Sequence, residues 1–118
     1  MLVNLDYQSI YLASKPVDFR FGINGLADLI KQDNQTDITD GAVYVFYNAK
    51  KDKIKCLFWD GTGFVLYYKR MDQMKFKVNE NKDGVKTITS SQLASLLSGA
   101  KIEEDTRPSK LAYINKKT

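Results

Sequence analysis

Few residues in this chain have side chains that support catalysis. The 118-residue sequence contains no histidine and a single cysteine, Cys56. Nucleophile pairs that need histidine, histidine acid–base catalysis and histidine metal sites are therefore excluded, and one thiol cannot form a thiolate zinc site or an internal disulfide. Because Cys56 lies between Ile54 and Phe58 in a strand-like run, we interpret it as an unreactive core residue.

Asp60 is the acidic residue in the most suggestive surroundings, the string WDGTGF at 59–64. An aspartic protease has Asp-Thr-Gly and a second carboxylate that shares a proton, whereas here a glycine separates Asp60 from Thr62. A phosphate loop needs Lys-Ser and a helix after its glycines, and here a strand follows. The string is typical of a hairpin turn, so we predict that Asp60, Gly61 and Gly63 are structural, with positive φ at one glycine or both.

A metal-dependent nuclease is a further hypothesis, and it requires carboxylates clustered around metal ions. Asp18, Asp60 and Asp72 are candidates only because they are acidic, since no spacing pattern joins them. We therefore expect a protein that is not an enzyme and that has no catalytic residues, metal ions or cofactors.

Positive charge is concentrated in the middle of the chain. Residues 44–86 contain ten lysines and arginines against five acids, a net charge of +5, whereas residues 1–43 contain three basic and six acidic residues. This asymmetry indicates a polyanionic partner such as DNA, and a solvated lysine-rich face is the alternative. The candidate nucleic-acid contacts are Lys53, Lys55, Tyr68, Lys69, Arg70, Lys75 and Lys77. Lysine and arginine neutralise phosphates, and tyrosine stacks on bases.

The predicted hairpin brings some of these side chains together. With Gly61-Thr62 as its loop, the opposed pairs are Trp59–Phe64, Leu57–Leu66, Lys55–Tyr68 and Lys53–Arg70. Opposed residues share one face of a sheet, so this face is aromatic near the turn and basic at the open end. A next strand at 75–78 would extend the same sheet with Lys75 and Lys77, whereas Lys69 points to the opposite face.

The remaining pattern predicts an α+β fold. Further strands are expected at 9–14, 42–48 and 85–88, and apolar residues at helical spacing predict helices over 22–32 and 89–100. Together with the hairpin these elements form a central antiparallel meander of five or six strands, with one helix before it and one after it. We expect a single domain over 1–102 and a flexible polar tail over 103–118.

Three stretches resemble a known family in order and spacing. They are KPVDFRFGINGL (15–26), VFYNAKKDKIK (45–55) and FWDGTGFVLYYKRM (58–71). The first resembles a Pro-x-Asp-Met-Arg-x-Gly-x-x-Gly-Leu motif that begins at Pro16, and the second a Phe-x-Asn-x-x-x-Asp-x-Ile-Lys motif that ends at Lys55. The chain is similar over roughly 8–100 to TnpB, the short accessory protein of insertion-sequence 66 elements, which is unrelated to the RNA-guided nuclease of that name.

This resemblance implies a non-catalytic accessory factor of transposition, encoded beside a separate large transposase. We expect it to bind DNA through the basic aromatic sheet face, and a module that contacts the transposase without binding DNA is the alternative. Asp18 and Arg20 match the family motif, either as a structural ion pair before the first helix or as part of a binding site.

The sequence carries no pattern typical of a membrane protein. No apolar run approaches the roughly 20 residues of a membrane span. The first ten residues lack the basic start and apolar stretch of a signal peptide. We therefore expect a cytoplasmic protein without a membrane partner.

Overall fold

The computed structural model describes residues 8–34 and 38–102, so the predicted tail over 103–118 lies outside the described residues. In chain order the elements are strand β1 (Ile10–Leu12), helix α1 (Ile23–Asn34), strands β2 (Val43–Tyr47), β3 (Lys53–Trp59), β4 (Phe64–Arg70) and β5 (Lys86–Ile88), and helix α2 (Ser90–Leu97). The prediction of an α+β fold, with one helix before the central strands and one after them, is confirmed.

The sheet has the strand order β4-β3-β2-β1-β5 and is mixed. The predicted meander is confirmed for β2, β3 and β4, which pair antiparallel in succession. The expectation of a wholly antiparallel sheet is wrong, because β1 pairs with β2 in parallel and with β5 antiparallel. A parallel pair requires a crossover connection, and the segment that contains α1 provides it.

The strand predicted at 75–78 is not part of this sheet. Its alternation arises because Phe76 and Val78 are buried in the core beneath α2 while Lys75 and Lys77 are exposed. Burial on one side of an extended segment thus produces the same period of two as a strand. Lys75 and Lys77 therefore do not extend the sheet face that Lys53 shares with Arg70.

Both faces of the sheet are covered. On the α2 face the buried side chains are Ile10, Leu12, Val43, Val45, Tyr47, Ile54, Cys56, Phe58 and Ile88, which pack with Phe76, Val78, Leu93 and Leu96. On the α1 face the buried side chains are Tyr44, Phe46 and Leu57, which pack with Leu26, Ala27, Ile30, Ile38 and Ala42. Cys56 is a buried core residue, as predicted, and burial raises the pKa of its thiol to about 12.

Local sequence signals set the ends of α2. Thr89 accepts a hydrogen bond from the Gln92 amide (3.1 Å), and the Gln92 side chain accepts one from the Thr89 amide (2.8 Å). This is the capping box that the spacing predicts. Gly99 follows the helix with φ of +87°, a left-handed conformation typical of a helix C-terminus.

Tyr47 is fully buried in the α2 face, and its hydroxyl has no hydrogen-bond partner among the described residues. Burying an unpaired hydroxyl costs about 1–3 kcal/mol. We therefore expect Tyr47→Phe to leave the free energy of unfolding unchanged or to raise it by about 1 kcal/mol. Tyr47→Ala, the control for lost packing, should lower it by about 3–5 kcal/mol. Urea titrations measure both, and a Tyr47→Phe variant as unstable as Tyr47→Ala would contradict the assignment.

Candidate functional site

The hairpin around Asp60 has the predicted register, from Trp59 opposite Phe64 to Lys53 opposite Arg70. The Asp60 carboxylate accepts hydrogen bonds from the amides of Thr62 (2.9 Å) and Gly63 (3.0 Å) and from the Thr62 hydroxyl (3.1 Å). These bonds, led by the Thr62 amide, hold the Asp60 pKa below its ordinary value. The turn thus stabilises the charged form of this carboxylate, and the Asp60 oxygen in turn stabilises the turn.

Lys55 occupies an unusual position for a lysine. It lies on the α1 face of β3, and only 4% of its surface is exposed. Its ammonium donates hydrogen bonds to the carbonyls of Phe19 and Phe21, both at 2.8 Å. The same ammonium lies 4.8 Å from the Phe19 ring centre and 5.1 Å from that of Tyr68, within cation–π range. Lys55 is therefore a buried anchor and is not available to a phosphate in this structure.

The anchor holds the segment between β1 and α1 against the sheet. Phe19 packs edge-on to Tyr68 of β4, with ring centres 6.0 Å apart. Phe21 lies against the first turn of α1, where a side-chain carbon at Gly25 would stand 3.0 Å from its ring. The Phe21 side chain thus leaves little room for a larger residue than glycine at position 25. Burial lowers the pKa of Lys55, and the nearby Asp18 charge opposes that shift.

Asp18 and Arg20 form an ion pair at the tip of this segment. The Arg20 Nη2 atom lies 2.6 Å from Asp18 Oδ2, and the Arg20 amide donates to Asp18 Oδ1 at 2.9 Å. The bond from the Arg20 side chain, followed by that from its amide, lowers the Asp18 pKa to about 2. The predicted ion pair is therefore present, and a part in a binding site stays a prediction for both residues. The Arg20 side chain nevertheless remains 90% exposed, so its guanidinium also faces solvent.

A second family motif shapes the turn between β2 and β3. The Asn48 side chain accepts hydrogen bonds from the amides of Asp52 (3.1 Å) and Lys53 (3.0 Å) and donates to the Asp52 carboxylate (2.6 Å). This last bond is the main reason that the Asp52 pKa is lowered. Within the turn, Lys51 has a φ of +59°. Asn48 and Asp52 thus fix a strained turn that carries two adjacent lysines, Lys50 and Lys51.

The structure separates the seven predicted nucleic-acid contacts. Lys55 is buried, and Lys69 lies on the α2 face, where its ammonium donates to the Leu97 carbonyl at the end of α2 (2.7 Å). That bond supplies a cation to a helix C-terminus, which is a favourable structural role. Tyr68 is 50% exposed beside the anchor, and Lys77 is exposed on the segment after β4.

The other predicted cations converge at one end of the sheet. Lys53 lies opposite Arg70, and the Lys75 ammonium donates to the Lys50 carbonyl at 3.0 Å. We call the side chains of Lys50, Lys51, Lys53, Arg70 and Lys75 the basic end. Sequence reasoning missed Lys50 and Lys51 as members, although the lysine pair within the second motif was a usable signal. The acidic neighbours are Asp52, which lies 3.4 Å from the Lys53 ammonium, and the exposed Asp72.

A second exposed surface lies beside the Lys55 anchor. Phe21 is 40% exposed and Tyr68 is 50% exposed, and the Lys55 ammonium touches the Phe21 carbonyl and the Tyr68 ring. Arg20 precedes Phe21 in the same turn. We call Arg20, Phe21 and Tyr68 the aromatic patch. Tyrosine and arginine are enriched among the energetically dominant contacts of protein interfaces, and phenylalanine is enriched in interfaces generally.

Across residues 8–34 and 38–102, no group of three Cys, Asp or Glu side chains is placed to hold a metal ion. Asp18 is paired with Arg20, and Asp60 is occupied by its own turn. In the same part of the chain, no helix is both long and apolar enough to cross a membrane.

Comparison with known proteins defines the family. The model of the IS66 Orf2-like proteins matches residues 8–107, which include both motif segments and the hairpin. The chain belongs to this family, whose members are accessory proteins of IS66 insertion elements.

Two proteins of Sinorhizobium fredii (strain NBRC 101917 / NGR234) are similar to this chain. The uncharacterized protein y4jC is 33% identical over 108 residues, which are 87% of this chain and 92% of that protein. The uncharacterized protein y4hO is 30% identical over 90 residues, which are 76% of this chain and 78% of that protein. No solved structure matches the chain significantly.

The geometry of the turn between β3 and β4 predicts that its two glycines, Gly61 and Gly63, tolerate substitution to different degrees. Gly61 has a φ of +105°, whereas Gly63 lies outside the left-handed region and has open space around a potential side-chain carbon. Gly61→Ala should lower the free energy of unfolding by about 1 kcal/mol or more, because alanine adopts positive φ at a cost. Gly63→Ala is the matched control and should change it by less than about 0.5 kcal/mol. Equal thermal melting of both variants would refute this assignment.

The Asp18–Arg20 pair predicts a pH dependence with a defined sign. Because folding lowers the Asp18 pKa to about 2, the stabilisation is complete above the unfolded value of about 3.9 and is lost as pH falls through about 2. In an Arg20→Gln variant the Asp18 pKa should rise towards its ordinary value, while that of Asp60 stays unchanged. Carboxyl titration by NMR measures the pKa of both groups. An Asp18 pKa that is the same in the wild type and in Arg20→Gln would contradict the ion pair between Asp18 and Arg20.

The Lys55 anchor predicts an asymmetry between two lysines on one strand. Lys55→Met keeps the apolar stem but leaves the Phe19 and Phe21 carbonyls without their donor, which should cost roughly 2–4 kcal/mol of unfolding free energy. Lys53→Met removes a part-exposed charge and should cost less than about 1 kcal/mol. Guanidinium titrations provide both values. Similar losses for the two variants would show that Lys55 is not an anchor.

Proposed function

We propose that this protein is a non-enzymatic accessory factor of insertion-element transposition that binds duplex DNA through its basic end. The observation that carries the proposal is the convergence of cations from three separate stretches of chain. The turn between β2 and β3, together with the start of β3, contributes Lys50, Lys51 and Lys53. The end of β4 contributes Arg70, and the segment after β4 contributes Lys75. DNA affinity arises largely from such clustered contacts to phosphates.

The backbone around the basic end supports a fixed arrangement of these charges. The Met71 amide donates to the Asp52 carbonyl, and the Phe76 amide donates to the Lys51 carbonyl, both at 2.7 Å. These bonds tie the chain after β4 to the turn before β3. The lysine stems therefore start from positions set by the fold, which reduces the conformational entropy lost when phosphate is bound.

The proposed site differs from the sheet face that the sequence favoured. The α1 face is covered by α1 and by the anchored segment, so it offers no open surface at Lys55. The basic end lies at the margin of that face and keeps Lys53 and Arg70 of the original candidates. Duplex DNA is the favoured partner because the basic end consists of lysines and an arginine, which contact phosphates, and includes no aromatic side chain on which an unpaired base could stack.

The salt dependence of DNA binding tests this function. If about four phosphates are contacted, log K should fall against log salt concentration with a slope of roughly −3 to −4. Replacing Lys50, Lys53 and Arg70 together with glutamine should reduce the magnitude of that slope by about three and weaken binding to all sequences alike. Fluorescence anisotropy with element-end and random duplexes at several salt concentrations measures both quantities.

The matched control carries the same loss of charge elsewhere. Lys31, Lys82 and Lys101 are exposed and lie outside the basic end, so their glutamine variant has the same net charge as the test variant. It should keep most of the wild-type affinity and slope. Equal behaviour of the two triple variants, with both folded by circular dichroism, would refute the proposed site.

A transposase-contacting module is the second candidate, and the aromatic patch favours it. Arg20, Phe21 and Tyr68 present exposed apolar and cationic groups on a segment that is fixed by Lys55. Wild-type protein that binds no duplex at low salt, but that binds purified transposase and loses this binding in Phe21→Ala, would replace the DNA proposal with this one.

A further inference from the structure

Strand β4 forms an edge of the sheet and is less covered than its neighbour β3. Within the described part of the chain, only β3 pairs with β4. Every residue of β4 is at least partly exposed, whereas β3 is buried from Ile54 to Phe58. The first five residues of β4, Phe64 to Tyr68, are uncharged and apolar or aromatic and include no proline. Natural edge strands usually avoid such a surface, because it pairs readily with another strand.

The hydrogen bonds at both ends of the hairpin show which backbone groups of β4 face outward. The Asp60 amide donates to the Gly63 carbonyl (3.0 Å), and the Met71 amide donates to the Asp52 carbonyl (2.7 Å). Along an antiparallel ladder, hydrogen-bonded pairs of opposed residues alternate with non-hydrogen-bonded pairs. Both of these hydrogen bonds join residues that are opposed when the observed register is continued, and one alternating series of pairs includes them both. The residues of β4 whose amide and carbonyl point away from β3 are therefore Phe64, Leu66, Tyr68 and Arg70.

We propose that two copies of this protein associate through β4, antiparallel and about a two-fold axis at Tyr67, to form one continuous sheet. This register pairs Phe64 with Arg70 of the other copy and Leu66 with Tyr68 of the other copy. Every outward amide and carbonyl of both strands then has a partner. A register centred on Leu66 or on Tyr68 leaves the groups of one outward residue unpaired at each end.

Charge favours a second copy as the occupant of this edge. The only charged residues of β4 are Lys69 and Arg70, both at its end. In the register centred on Tyr67, Lys69 lies opposite Val65 and Arg70 lies opposite Phe64 of the other copy. No like charges are opposed, and each arginine lies beside an aromatic ring, which is a favourable cross-strand pair. The strand is therefore complementary to itself, as a closed two-fold interface requires.

The molar mass of the purified full-length protein, measured without DNA, tests the association. Sedimentation equilibrium of the wild type up to about 1 mM should show twice the chain mass of 13.5 kDa. Leu66→Pro removes an outward amide and no bond to β3, so this variant should fold and stay monomeric. Because DNA is absent, the result is independent of whether the basic end binds duplex.

A charge-reversal pair locates the interface. Phe64→Glu places a carboxylate opposite Arg70 of the other copy, and Phe64→Arg places a second cation there. Both variants lose the same ring contact with Trp59, so that loss is common to the two and cancels in their comparison. The dimer dissociation constant should be at least about fivefold lower for Phe64→Glu than for Phe64→Arg.

Two results would overturn the proposal. A wild type that remains monomeric at every concentration would leave the edge to another occupant, such as residues 103–118 of the same chain or the transposase. A dimer that forms equally well in Phe64→Glu and Phe64→Arg would place the interface elsewhere. The glutamate–arginine comparison decides the question even if Leu66→Pro does not fold.

Discussion

The burial of one ammonium group, that of Lys55, is the constraint on which the rest of this structure depends. A buried cation is costly unless hydrogen bonds replace its water. Here two carbonyls and two aromatic rings surround it, and the carbonyls belong to the segment that carries the first family motif. The interaction therefore joins the two motifs, since Lys55 ends the second and Phe19 and Phe21 lie within the first.

The anchor also decides which surfaces the protein offers to partners. With the motif segment fixed on the α1 face, the aromatic and basic residues of the hairpin no longer form one open surface. Arg70 is exposed and Lys53 is partly exposed where the face ends, and Tyr68 lies at its edge beside Phe21. The fold thus separates the predicted contacts of the charged middle: some lie in the basic end, Tyr68 lies in the aromatic patch, Lys55 is buried and Lys69 caps α2.

Local signals in the sequence were sufficient for several elements. The hairpin register around Gly61, the capping box at Thr89 and the core position of Cys56 all follow from patterns a few residues long. The burial of Lys55 did not follow, because lysine is rarely buried and its partners lie more than thirty residues away in the chain. The sequence did not predict the parallel pairing of β1 with β2 either, because the two strands are separated in the chain by the segment that contains α1.

The most direct test of this account is NMR observation of the Lys55 side chain, with Lys53 as the internal reference. We expect the Lys55 ammonium to exchange slowly with water and to show nuclear Overhauser contacts to Phe19 and Tyr68. We also expect ring-current shifts for the end of this side chain and a Lys55 pKa below its ordinary value, because burial penalises the charged form. A Lys55 ammonium that exchanges as fast as that of Lys53, without aromatic contacts, would contradict the account.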